Sequence, residues 1–512
     1  MLKVFMHQCI LFTICFSGAL NAATIAVDAT KTYQTIDGFG ACSAWIGNKI
    51  TASLATQFWA VDTLDGHIGL SILRTRIDPS GSTNAESAAM TQAIKINPEV
   101  KIWAAAWTPP AKFKTNNSTV GGSLKSDAAS QQGYADFLVK YVQDIKKNVD
   151  IDLYAVSCQN EPDFNPSYEG CTWSGEQFRV FVRDYWGPAC KKAGITARRM
   201  IGESYRCDIA LTDPALKDSA AAAYVDIIGE HLYGGGPRAY PLAESLNKQY
   251  WETENSGMGG PNETIADGIN YANKVHSCIV TSKMNAYHYW WLVNNNNDDE
   301  GLCNKSGNPT PRMYTIGNFS KFIRPGFVRV DAPPSPASGI TASAYLGKSS
   351  GQLVIVVINN GSSASAMDFT IAGFQGGPNA VPWLTDGSNK LARKTPVAVS
   401  NNAFSYQLPS KSVVTFVLQG DPAQIAPDAS PQHGTAAKVQ RYAAGWKVEV
   451  SSAEKPWMVQ VVSLSGRELM RKSVPAGVRK SVVAIPEHAG VMLVRTIQEG
   501  RMAVSRIVET RK

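Results

Sequence analysis

At 512 residues, 44% of them hydrophobic, the chain is long enough for two to four domains and a large buried core. Its net charge of +7 is uneven: Pro431 to Lys512 holds 14 Lys and Arg against 6 Asp and Glu, so the main body has no electrostatic footprint for nucleic acid. No stretch approaches the roughly 18 consecutive apolar residues of a membrane span, and no Cys/His cluster has metal-ligand spacing, so neither a span nor a zinc site is expected.

The N-terminus reads as a secretory leader over residues 1–22. Lys3 supplies a positive charge, Cys9 to Leu20 is apolar, and Ala22-Ala23 provides small residues for cleavage. A secreted or cell-surface, extracellular protein is therefore expected. Nine cysteines become seven once Cys9 and Cys15 leave with the leader. That odd count requires a free thiol, and Cys158, inside an apolar run, is the candidate.

From residue 35 to 322, strand-like runs alternate with helical ones. The strands are expected at Thr35–Gly40, Leu70–Asp78, Val100–Trp107, Leu153–Glu161, Arg199–Glu203, Val225–Tyr233, Gln249–Glu254 and Asn285–Trp291. Tyr134 to Ile145 shows the helical spacing of a connector between them. Eight such strands predict an α/β chain built on one (β/α)8 barrel. Beyond Arg324-Pro325 only strands and turns follow, with runs at Ile340–Tyr345, Gln352–Ile358 and Ser412–Leu418. This segment, 323–420, is expected to form a β-sandwich fused to the barrel's side, with residues 24–34 lending Thr24–Val27 as an extra strand. Prolines 422, 427 and 431 mark an extended linker at 421–437, and 438–512 reads as a small basic all-β module.

Two glutamates end strand-like runs, Glu161 before Pro162 and Glu254 after Trp251-Glu-Thr. A βα unit takes about 30 residues, so their separation fits three units. Barrel chemistry sits at the C-terminal strand ends, where two carboxylates among aromatic residues suit glycosidic bond cleavage. Spacing alone leaves open a surface Glu before a proline and a second Glu in a charged loop.

Seven segments resemble glycoside hydrolase family 30, its xylanase branch most closely. They are Leu73-Arg-Thr-Arg-Ile-Asp78, Trp107-Thr-Pro-Pro110, Gly122-Ser-Leu-Lys125, Gln159-Asn-Glu-Pro-Asp163, His231-Leu-Tyr233, Trp251-Glu-Thr-Glu254 and Asn318-Phe-Ser-Lys-Phe-Ile-Arg-Pro-Gly326. The resemblance spans about residues 24–420 in the family's order. It implies a retaining endo-β-1,4-xylanase acting on xylan, without metal or cofactor. Glu161 matches the acid/base and Glu254 the nucleophile. Asn160 would hold a sugar 2-hydroxyl, and Arg74 would keep Glu254 ionised. Tyr233 and His231 match positions beside the nucleophile; a hydrogen-bonded barrel histidine is the lesser reading of His231. Other enzymes of the family acting on glucosyl or fucosyl linkages, and a non-catalytic polysaccharide-binding protein, are the alternatives.

Trp107 matches a sugar platform, against plain core packing. Of Trp290 and Trp291, strand alternation puts one inside the barrel and favours Trp290 as the one that touches substrate. By the same alternation Glu252 faces the side of Glu254, one layer deeper, where the family usually has an uncharged residue. It is read as structural, with Arg76 as a partner. The run Leu292 to Cys303 has no Arg or Lys and carries Asp298, Asp299 and Glu300. Family members that require glucuronic acid branches present an arginine there, so cleavage independent of such branches is expected, unless Lys305 or Arg312 folds back.

Adjacency of barrel loops suggests disulfides Cys171–Cys207 and Cys42–Cys303 in an oxidising compartment. The tail runs Trp457–Arg467 and Gly490–Arg495 resemble C-terminal sorting modules of exported bacterial enzymes. Attachment through secretion or cell-surface machinery, a carbohydrate-binding module and a solvated spacer compete for that tail.

Overall fold

A computed structural model describes residues 22–420 and seven further strands between residues 438 and 508. Eight parallel strands pair in sequence order: Gly38–Cys42, Ile72–Ile77, Lys101–Ala106, Ala155–Ser157, Arg198–Ser204, Ile227–His231, Gln249–Glu254 and Ala286–Val293. The eighth pairs with the first, Ala286 to Trp291 against Gly38 to Cys42, and closes the barrel. The second, sixth and eighth strands are buried throughout, as expected of parallel strands covered on both faces.

The helical connectors follow their sequence signals. Ala128–Val149 buries Tyr134, Leu138, Tyr141 and Ile145 along one stripe. Asp127 caps it by accepting the Ser130 N–H at 2.9 Å, and Asp150 ends it in a left-handed turn. Ser174 and Gln177 form a reciprocal capping box on Gly175–Val180.

The fourth strand is much shorter than the run Leu153–Glu161 suggested. It stops at Ser157, and the next residues leave the ladder. The Asn160 N–H reaches the Ala106 carbonyl at 2.8 Å on one side, and the Glu161 N–H reaches the Glu203 carbonyl at 3.0 Å on the other. Glu161 therefore sits on a turn with φ 44°, a strained value for a side chain of its size.

Ala23–Thr35 runs parallel to Ser365–Ala372 and antiparallel to Val328–Asp331. Around it Ile340–Gly347, Gln352–Asn359, Gly376–Thr385, Ala403–Leu408 and Ser412–Gly420 complete the side domain. Its core centres on Phe369 stacked on Phe404 at 4.3 Å, with Phe416 against both. Burying each such ring stabilises by about 1.5–3 kcal/mol. The helix Pro311–Ser320 fastens this domain to the barrel. Asn318 donates to the Trp383 carbonyl and the Thr415 hydroxyl at 3.1 and 3.0 Å, and Phe322 packs on Trp383 at 5.2 Å.

The tail strands pair antiparallel. Lys438–Tyr442, Gly445–Ser451 and Lys480–Ile485 form one sheet, while Glu468–Val474, Trp457–Ser463, Val491–Gln498 and Arg501–Val508 form another. The expected leader at 1–22, but for its last residue, and the linker at 421–437 lie outside the described residues. Among the described residues no helix is long and apolar enough to cross a membrane.

Candidate active site

The C-terminal ends of the strands converge on Arg74, from the second strand, which is fully buried at the barrel mouth. Its Nη1 donates to Glu254 Oε2, and its Nη2 to Asn160 Oδ1 and, at 2.6 Å, to Glu203 Oε2. Trp107 lies against the guanidinium with its ring centre 4.6 Å away, and Trp103 and Trp290 at 5.2 and 5.6 Å. Burial opposes the charge on Arg74, but Glu203 and Glu254 outweigh it and hold the group firmly protonated.

Glu254 ends the seventh strand, and its other oxygen accepts the Tyr233 hydroxyl at 2.9 Å. An oxygen of Glu161, an oxygen of Glu254 and a ring nitrogen of His231 all lie within 4.8 Å of one another. His231 ends the sixth strand, fully buried, with Nδ1 3.1 Å from Glu161 Oε1 and Nε2 3.5 Å from Glu203 Oε2. Burial works against its protonation, yet Glu254, Glu161 and Glu203 raise its pKa to about 10. Burial also raises the Glu161 carboxyl; the His231 contact opposes this and the Glu254 charge reinforces it.

Every expected site residue is thus in one place: Glu161, Glu254, Asn160, Arg74, Trp107, His231, Tyr233 and Trp290. Sequence reasoning missed Glu203, although it too is a glutamate near a strand end. It also missed Trp45, Phe164, Tyr168 and Tyr205, which line the cleft of about 680 Å³ over Glu161 and Glu254 together with Glu300 of the acidic loop. Trp45 meets Trp107 edge-on at 5.1 Å, and across the cleft Tyr205 stacks between Phe164 and Tyr233 at 4.6 and 5.4 Å. A larger hollow, about 850 Å³, opens beside the strand starts Arg198 and Gln249, away from this chemistry.

Three expectations need correction. Trp290 and Trp291 both line the cleft, stacked on each other at 5.1 Å. A register break between Ala41 and Cys42 and the eighth strand disrupts the alternation that would have separated them. Glu252 does not lie beneath Glu254, because the register also breaks between Glu252 and Glu254. Trp251 takes the inner position, packed on Trp103 and His288. Glu252 instead neighbours Lys274, Cys278 and Tyr287, accepts the His288 backbone N–H at 2.7 Å, and is raised to about 8 by burial. Arg76 pairs with Glu169 and Asp78 rather than with Glu252.

The third correction concerns the disulfides. All seven described cysteines are free and buried. Cys303 faces Met313 and Cys207 faces the Tyr250 hydroxyl, so adjacency of loops did not bring sulfur to sulfur. Arg312 is likewise committed elsewhere, to Asp267 at 2.6 Å and to the carbonyls of Asn262 and Gly301.

Compared with known proteins, the chain matches the glycosyl hydrolase family 30 TIM-barrel domain over residues 81–294 and that family's beta sandwich domain over 326–416. It is 30% identical over 419 residues to Glucuronoxylanase XynC of Bacillus subtilis, covering 78% of this chain and 92% of that one. The chain belongs to glycosyl hydrolase family 30. A family 30 subfamily 8 xylanase structure from Clostridium acetobutylicum is 35% identical with a TM-score of 0.70, and a family 30 endoxylanase from Clostridium papyrosolvens 33% with 0.67. Each is covered in full by 78% of this chain. Family 30 also takes in more distant relatives such as Putative glucosylceramidase 1 of Caenorhabditis elegans, 23% identical over 77% of this chain and 83% of that protein. The chain is a family 30 glycoside hydrolase with a TIM barrel and a side β domain.

Proposed function

We propose that this chain is a secreted, retaining xylanase that cuts internal β-1,4-xylosidic bonds and does not require glucuronic acid branches. The observation that carries the reading is the close approach of Glu161 and Glu254, within 4.8 Å between oxygens. Retaining enzymes hold their carboxyl groups about 5–5.5 Å apart, whereas inverting ones leave about 6.5–9.5 Å for a water.

Glu161, whose pKa is raised by its burial, gives its proton to the glycosidic oxygen as that bond breaks. Glu254, gripped by Arg74 and Tyr233, attacks the anomeric carbon and forms a glycosyl ester. Glu161 then takes a proton from water, whose oxygen attacks the same carbon and frees Glu254. Arg74 holds the Asn160 carbonyl oxygen, which leaves the amide nitrogen to donate to the sugar 2-hydroxyl. Trp107 and Trp290 offer ring faces to the sugars.

Independence from uronate is supported by the cleft lining, which among the described residues has no Lys or Arg and includes Glu300. Burial raises Glu300 to about 7, and Asp298, Glu254 and Asp299 add to it. The cations beside the cleft are engaged elsewhere, Lys49 with Asn295 Oδ1 at 2.6 Å and Arg76 with Glu169 and Asp78. Xylan is favoured over a glucosyl substrate by the higher identity to the xylanases.

Incubation with xylan, following reducing ends and the anomer first formed, tests the whole reading. Release of β-anomeric xylo-oligosaccharides is expected; inverted product, or turnover of β-glucosides with xylan untouched, would remove it. Secretion is tested by sequencing the mature N-terminus, expected near Ala22 and Ala23.

A further inference from the structure

Three carboxylates, not two, meet at this site, and the mechanism above leaves Glu203 without a task. It is fully buried near the end of the fifth strand, in a left-handed conformation with φ 52°. Its Oε2 accepts from Arg74 at 2.6 Å and lies 3.5 Å from His231 Nε2. A buried carboxylate is costly unless cations face it, and here two do. Burial works to raise its pKa, but Arg74 and then His231 bring it below the ordinary value.

A retaining hydrolase needs its nucleophile Glu254 ionised and its acid Glu161 protonated, and in that state the carboxylates Glu203 and Glu254 face the two cations Arg74 and His231. The charges then balance. We propose that Glu203 is a positioning residue that fixes the charge of the cluster: paired with Arg74 and His231 together, it keeps both cations in place and leaves a proton on Glu161. The inference rests on the retaining-hydrolase reading of Glu161 and Glu254.

The other groups around Glu203, Glu161 and His231 do not disturb the balance below about pH 8: Glu230 and Glu252 face His231, and burial drives the first far up and the second to about 8. Glu203 also faces Ser157 and Cys158 from the fourth strand and His288 from the eighth. Burial drives Cys158 far up and His288 down to about 3, so both are neutral. Glu161 also faces Tyr168, Tyr205 and Tyr233, all raised by burial and neutral. Removing the charge of Glu203 therefore leaves the cluster one unit positive. It must then release a proton at lower pH, from Glu161 or from His231, and either loss ends the competent state.

The test reads protons directly on the full chain. Nitrogen-15 NMR of the unsubstituted protein should show His231 titrating near pH 10, and carbon-13 NMR of the glutamate carboxyls follows Glu161. Glu203→Gln should lower the Glu161 or His231 titration, and the alkaline limb of kcat/KM with it, by about one pH unit or more. Glu203→Asp keeps the charge and should leave that limb within about 0.3 unit of the parent. A role in shape alone predicts the opposite order, since Gln keeps the shape and Asp does not. His231 titrating near 6.5 in the parent, or a folded Glu203→Gln with its titrations and limb unmoved, overturns the proposal. If Glu203→Gln does not fold, the parent His231 titration decides. Failure to cut xylan with these titrations as expected removes the substrate reading and leaves this one standing.

Discussion

His231 stands 3.1 Å from Glu161, so a protonated imidazole and the acid it faces share one buried contact. The contact favours the carboxylate and restrains the upward pull of burial on Glu161. His231→Asn removes that restraint. The alkaline limb of the pH–rate profile should move up by about one unit, and kcat should fall about tenfold or more as Glu161 loses its orienting partner. A limb that moves down or stays would show that His231 does not act on Glu161.

Only the nucleophile is needed for every substrate. Glu254→Ala should abolish turnover, with azide restoring part of it as a surrogate nucleophile. Glu161→Ala should lose about 10²–10⁴-fold on xylan, yet keep most activity on aryl xylosides whose leaving group needs no proton. Glu252→Gln, being off the inner face, should hurt far less than Glu254→Gln. The reverse ranking would transfer the nucleophile's role.

Glu300 lines the cleft where a branch-clamping cation would be useful. The parent is expected to cut arabinoxylan or linear xylan at least as fast as glucuronoxylan. Glu300→Arg supplies a planar fork for a carboxylate and should raise the relative rate on glucuronoxylan severalfold. Strong preference of the parent for glucuronoxylan, with a uronic acid at a fixed place in every product, contradicts this.

Trp45 is 40% exposed, rests edge-on against Trp107 and Trp290, and has Arg76 5.3 Å from its ring centre. Loss of a sugar platform of this kind costs about 1–2 kcal/mol of binding. Trp45→Ala should therefore raise KM about 5- to 30-fold while moving kcat and Tm little. Unchanged KM on long xylan chains would remove Trp45 from the binding surface.

Glu252 links stability to pH. Its folded pKa, about 8, is raised by burial above its ordinary value of 4.5, so the folded state binds the extra proton. Its contribution is whole below about 4.5 and is lost as pH rises through about 8. Glu252→Gln removes this titration, so the variant should be more stable than the parent at pH 8–9 by on the order of 2–4 kcal/mol, with a higher Tm, and differ little at pH 4.5. Parallel Tm curves for the two proteins would exclude the buried acid as the cause.

What the sequence made legible is what periodicity and order encode. Glu161 and Glu254 were found because both close strand-like runs, and their motif neighbours Arg74, Asn160, His231 and Tyr233 came with them. Glu203 closes a run by the same rule but had no motif to mark it. Trp45 and Tyr168 sit on loops, where no period points to a face. Alternation failed at Trp291 and at Glu252 for one reason: a register break inserts a residue into the count and leaves no trace in the pattern. The disulfides failed because neighbouring loops fix the distance between backbones, not the direction of Cβ.

The strand Ala23–Thr35 has a consequence for how the chain is made. Its partners, Val328–Asp331 and Ser365–Ala372, leave the ribosome some three hundred residues later. Through most of synthesis that strand is therefore an edge without a mate, open to pairing with other chains. Its closure on the late strands clasps the two ends of the described body around the barrel. A chain truncated before Ser365 would lack that clasp, leave Ile25 and Val27 uncovered, and aggregate rather than yield an independent barrel.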